Sequence, residues 1–135
     1  MAKLTKINHI GIAVNNIEEA LPFWTEGLGM KLHHVEEVGG QKSKVAFLPL
    51  GESDVELVQP TSPDSTMTKF IAEKGQGIHH LCLETDDIEG MMMHLKEKGI
   101  RLINETPLVA EGRKMAFVHP KATGGVLLEL YEVTK

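Results

Sequence analysis

The chain carries the same segment twice, and that repeat constrains its fold more than any other feature. INHIGIAVNNIEEALPFW begins at Ile7, and IHHLCLETDDIEGMMMHL begins at Ile78. With His9 placed on His80, Ile10, Ile12 and Ile17 fall on Leu81, Leu83 and Ile88. Asn15-Asn16 falls on Asp86-Asp87, and Glu18 on Glu89. Each copy alternates apolar and polar residues, as a strand does, then offers an Asn or Asp able to cap a helix, then turns helical in period. Helices are expected over Ile17–Leu28 and Ile88–Lys98, each stopped by a glycine, Gly29 and Gly99. Pro22 is expected to kink the first.

Three strand-like runs follow each helix. They are Lys31–Val38, Lys44–Leu50 and Asp54–Gln59 in the first copy, and Arg101–Glu105, Lys114–His119 and Val126–Val133 in the second. Glycine-bearing turns separate them at Gly39-Gly40, Gly51, Gly112 and Gly124-Gly125. Each half therefore reads β-α-β-β-β. A linker, Ser62 to Gly75, holds its own helix, opened by Pro63, with Met67, Phe70 and Ile71 as its apolar stripe. A half of about 60 residues buries little enough surface to be only marginal alone. The expected architecture is α+β: two paired βαβββ modules forming curved sheets around a cleft, with the helices outside. Residues 1–135 are expected to form one domain, with module 1 at about 5–60, the linker helix at about 62–75 and module 2 at about 77–134.

Composition narrows the function. The net charge is −5 with no basic block, so no nucleic-acid partner and no anionic membrane surface is expected. One cysteine, Cys82, cannot form an internal disulfide. No apolar run approaches the roughly 20 residues of a membrane span, and the first residues do not read as a signal peptide. A cytoplasmic protein is expected.

Side-chain parity then picks out four residues. Successive strand residues face opposite sides. Ile10, Ile12 and Val14 share one face of the first strand, and Leu81 and Leu83 share one face of its counterpart. His9 and His80 take the other face. In the last strand of each half, Glu56 lies between Val55 and Leu57, and Glu129 between Leu128 and Leu130. Two imidazoles and two carboxylates thus project away from the helix-packed faces. His9 and Glu56 are 47 positions apart, and His80 and Glu129 are 49. A single histidine or glutamate at such a position is ordinarily structural or solvated. Four at matching positions of a repeat suit a divalent first-row metal, with room left for water or a bidentate substrate.

The other candidates read as structural. His79 aligns with Asn8 and faces the helix side. His33, His34, His94 and His119 have no repeat partner and are taken as non-ligands. Met91-Met92-Met93 reads as core packing within a helix, and Cys82 as a residue lining the cleft beside His80. No nucleophile elbow or phosphate-binding glycine loop is present.

With these residues in place, the chain resembles the vicinal-oxygen-chelate, or glyoxalase-like, superfamily over nearly its whole length. INHIGIAVNNIEEALPFW, KVAFLPLGESDVELVQP, GIHHLCLETDDI, FVHPKATGGVLLEL and the linker TSPDSTMTKFIAEKGQGIHH are similar to the methylmalonyl-CoA epimerase branch of it. His79-His80 and His119-Pro120-Lys121 are the most specific of these features. The resemblance implies metal ligands His9, Glu56, His80 and Glu129. It also implies Glu129 as a catalytic acid/base, cobalt as the first choice of metal before nickel, manganese or zinc, an acyl-CoA substrate and a homodimer. Some members carry a second catalytic carboxylate in the third strand. Alignment puts Lys44 there, so the opposite proton donor is open between Lys44, another side chain and water. Two alternatives are kept: a lactoylglutathione lyase-like enzyme, which shares the metal set, and a non-catalytic drug- or metal-binding relative.

Overall fold

The computed structural model describes residues 1–134. The chain divides into two compact units, His9–His79 on one side and Met1–Asn8 with His80–Lys135 on the other. The strands are β1 (Leu4–Ala13), β2 (His34–Val38), β3 (Ser43–Leu50), β4 (Ser53–Pro60), β5 (Gly77–Thr85), β6 (Leu108–Ala110), β7 (Arg113–Val118) and β8 (Leu127–Val133). The helices are α1 (Ile17–Pro22), α2 (Thr66–Lys74) and α3 (Ile88–Glu97). No helix among the described residues is long and apolar enough to cross a membrane.

In the unit His9–His79 the strand order is β2-β3-β4-β1. β2, β3 and β4 pair antiparallel, and β4 pairs parallel with β1. One face is closed by α1: Ile12, Val14, Ala46, Leu48, Val55 and Leu57 pack with Ile17, Ala20, Leu21 and Trp24. The other face is partly closed by α2, whose Met67, Phe70 and Ile71 pack on Ala13, Val45 and Val58. The apolar stripe of the linker was legible. Its placement on the face that carries Glu56 was not. Ser65, not Pro63, begins this helix: its hydroxyl accepts from the Met67 amide and supplies the N-cap.

In the other unit the order is β5-β8-β7-β6, with β5 and β8 parallel and the rest antiparallel. Here α3 closes one face, packing Ile88 and Met92 on Leu102, Ala116, Val118 and Leu130. Of the three consecutive methionines, Met92 is buried and Met91 packs against the core, but Met93 is exposed. Lys3–Asn8 belongs to this unit through hydrogen bonds to its β5 end. Lys3 N–H donates to Asp86, the Thr85 hydroxyl donates to the Lys3 carbonyl, and the Asn8 carboxamide donates to Glu84.

Two expected elements differ. The first helix stays α-helical only through Pro22 and then runs as a π-helix over Phe23–Gly27. Pro22 has no N–H to give, and Leu28 N–H reaches back five residues to the Phe23 carbonyl. Arg101–Glu105 is not a strand either. Leu102 makes an isolated bridge to Val118, and β6 forms later, at Leu108–Ala110. The Asn104 side chain explains this, because its oxygen accepts from Phe117 N–H and its amino group donates to the Met115 and Thr106 carbonyls. A side chain thus takes the bonds that a strand backbone would have made.

Candidate metal centre

Register places the four singled-out residues in two equivalent pairs, one in each unit. In β1 and β4, Gly11 lies opposite Glu56, with His9 two residues before Gly11 on the same face. In β5 and β8, Cys82 lies opposite Glu129, with His80 two residues before Cys82 on the same face. The side chains meet accordingly. His9 Nδ1 is 3.3 Å from Glu56 Oε2, and His80 Nε2 is 3.0 Å from Glu129 Oε1. His9, His80 and Glu129 are buried and Glu56 nearly so.

A second duplication lies on the far side of each carboxylate. Phe47 is the β3 neighbour of Glu56, and Phe117 the β7 neighbour of Glu129. Each carboxylate thus has an aromatic ring as its cross-strand neighbour on one side and a histidine on the other. The signal was present in the sequence, as Val45-Ala46-Phe47-Leu48 repeats in Met115-Ala116-Phe117-Val118. A third duplication holds the strands against the helices. Three residues past Glu56, the Gln59 side chain accepts from the Ile17 amide at 2.8 Å; three past Glu129, Glu132 accepts from the Ile88 amide at 2.8 Å. Ile17 and Ile88 begin α1 and α3. Each carboxylate-bearing strand is therefore tied to the start of its own helix, whose free N–H groups need an acceptor.

A carboxylate is costly to bury unless it is compensated. A divalent cation compensates it, and neutral imidazole with carboxylate is a common donor set for first-row metals. The donor chemistry of each pair fits such an ion, and all four side chains, with Cys82, are among the described residues suited to hold one.

The residues set aside earlier occupy other places. His79 stacks edge-to-face on Phe70 at 4.7 Å, a packing role. His119 Nδ1 accepts from the Lys121 amide and caps the short turn Pro120–Ala122. Cys82 is fully buried on the Glu129 face. Lys44, one of the candidates for the opposite proton donor, has Gln59 as its register neighbour, whose side chain is committed to α1, and takes the strand face opposite to that of Glu56.

The family model of the Glyoxalase/Bleomycin resistance protein/Dioxygenase superfamily matches residues 8–117. The chain belongs to that superfamily. Within the superfamily it is 39% identical to the mitochondrial methylmalonyl-CoA epimerase of Mus musculus, over 95% of this chain and 73% of that one. It is 32% identical to an ethylmalonyl-CoA/methylmalonyl-CoA epimerase of Cereibacter sphaeroides, over 95% and 98%. A solved methylmalonyl-CoA epimerase in complex with methylmalonyl-CoA and NH4+ aligns with a TM-score of 0.88 at 32% identity, covering 98% of this chain and 96% of that one. Lactoylglutathione lyases are more distant, at 26% identity for one from Arabidopsis thaliana.

Proposed function

We propose that the chain is a methylmalonyl-CoA epimerase that interconverts the (2R) and (2S) forms by removing and returning the C2 proton. The observation that carries the reading is the duplicated His–Glu pair, in a chain similar over nearly all its length to enzymes of that name. His9, Glu56, His80 and Glu129 would together hold one divalent cation, cobalt by first choice. Such a cation would supply positive charge to offset the negative charge of the enolate.

The chain's own residues do the rest. The C2 hydrogen lies between a thioester and a carboxylate, and its removal leaves an enolate. Glu129 takes or returns that proton on one face of C2, and a second group works on the other. His80, 3.0 Å from Glu129, orients its carboxylate. Phe117 beside it keeps water from one side. Residues 1–135 are read as one domain, in the cytoplasm, and in a homodimer as the family resemblance implies.

Incubation of cobalt-loaded protein with each epimer of methylmalonyl-CoA in deuterated water tests the reading. Deuterium should enter C2 and the epimers should interconvert. Turnover of the methylglyoxal–glutathione adduct in place of methylmalonyl-CoA would instead establish the lyase, and neither activity would leave the binding relative. Running ethylmalonyl-CoA alongside reports how far the acyl branch is tolerated.

A further inference from the structure

The two units are duplicates, but one row of each sheet has diverged. Two residues past Glu56 on β4 stands Val58, in a cross-strand row with Val45 of β3 and Ala13 of β1. These three are buried, and Met67 of α2 packs on them. Two residues past Glu129 on β8 stands Tyr131, in a row with Met115 of β7 and Glu84 of β5. This row lies on the face that carries Glu129, and Arg113, two residues before Met115, shares that face. Arg113, Met115, Tyr131 and Glu84 are all half-buried, and α3, the helix of this unit, packs on the opposite face. One copy of the row is thus apolar and covered by a helix. The other is polar and has no helix of its own unit over it.

Resting on the epimerase reading, we propose that the Tyr131 row seats the amide-bearing arm that joins thioester to nucleotide in an acyl-CoA, with Arg113 as its hydrogen-bond donor. The guanidinium is already oriented. It lies over the Tyr131 ring, 5.5 Å from the centroid, and its Nε–H donates to the Met115 sulfur at 3.5 Å. These contacts occupy one face and one N–H of the group. No described residue pairs with its two terminal amino groups. A planar fork of donors held in place loses little freedom when it binds an oxygen. On the other side of Tyr131, Glu84 accepts from the Asn8 carboxamide through Oε1 at 3.0 Å, and its second oxygen remains an acceptor.

A donor and an acceptor flanking a flat ring suit a neutral amide, whose oxygen needs an N–H and whose N–H needs an oxygen. A phosphate would gain from Arg113 but be repelled by Glu84, so the arm and not the nucleotide phosphates fits the row. Tyr131 lies about 7 Å along the strand from Glu129. An acyl group at the Glu129 carboxylate therefore leaves the chain beyond its sulfur within reach of Tyr131.

Three methylmalonyl thioesters test this on cobalt-loaded protein: that of coenzyme A, that of pantetheine, which keeps the arm but lacks the nucleotide, and that of ethanethiol, which lacks both. Arg113→Ala should raise KM about 10-fold for the first two and change kcat less than about twofold, the pattern of a contact made equally before and during reaction. The ethanethiol thioester should react as in wild type, which also shows that the variant is folded. Glu84→Ala should repeat the pattern. A wild-type KM in either variant overturns the proposal. So does a penalty confined to the coenzyme A thioester, which would assign Arg113 to a phosphate, and so does an equal penalty on all three, which would make its role structural. Each of these leaves the epimerase reading intact. Wild-type protein that epimerises none of the three overturns both.

Discussion

At the scale of single residues, Glu56 and Glu129 occupy equivalent places but are assigned different work. Glu56 is assigned only to binding. Glu56→Gln keeps an oxygen donor beside His9 while removing a charge, so metal affinity should fall by about 10- to 100-fold without abolishing exchange at saturating metal; titration calorimetry with cobalt reads this directly. Glu129→Gln should lower C2 exchange of one epimer by about 100- to 10,000-fold, read by the deuterium content of recovered substrate. These residues were legible because a strand has period two: once Val55, Leu57, Leu128 and Leu130 are committed to the core, the glutamates between them have only one way to face. The row that sets His34 and Phe47 in line with Glu56 was not legible, because only the pairing of β2 with β3 and of β3 with β4 creates it.

At the scale of elements, the strand-to-helix ties are the devices that fix the site. Gln59→Ala or Glu132→Ala should each cost about 1–2 kcal/mol by leaving the first amide of α1 or α3 without its acceptor, measured as a shift in urea midpoint. The linker before α2 is held differently. Lys42 pairs with Asp64, which also accepts from the Ser62 hydroxyl. The Lys42 ammonium first, and the Ser62 hydroxyl second, hold the Asp64 carboxyl below its ordinary 3.8. A carboxyl depressed in the folded state stabilises above its unfolded value and loses that contribution as pH falls through the folded one. Any gap in urea midpoint between wild type and Asp64→Asn at pH 7 should therefore shrink as the pH falls below 3.8. Helix starts at Ile17 and Ile88 were legible because Asn16 and Asp87 cap them through the Glu19 and Gly90 amides. The strand expected at Arg101–Glu105 failed because periodicity does not reveal which side chain, here Asn104, will replace a backbone partner.

At the scale of the whole molecule, the duplication was plain in the sequence but the division of the chain was not. The repeat suggested that the first half keeps its own first strand whole. Instead the residues before His9 group with the second half. Replacing Lys3–Asn8 with a glycine-serine segment should speed hydrogen exchange at the Thr85–Asp86 end of β5 while amides in β3 and β4 remain protected, as mass spectrometry of peptic fragments would show. Lys3 and Asp86 are 83 positions apart, and Thr5 and Glu84 are 79. During synthesis at about 5–20 residues per second, roughly 4–16 s pass between the arrival of the earlier partner and the later. Over that interval Leu4 and Ile7 leave the ribosome with their eventual neighbours not yet made. The second half therefore cannot be completed from its own residues alone, whichever half begins to fold first.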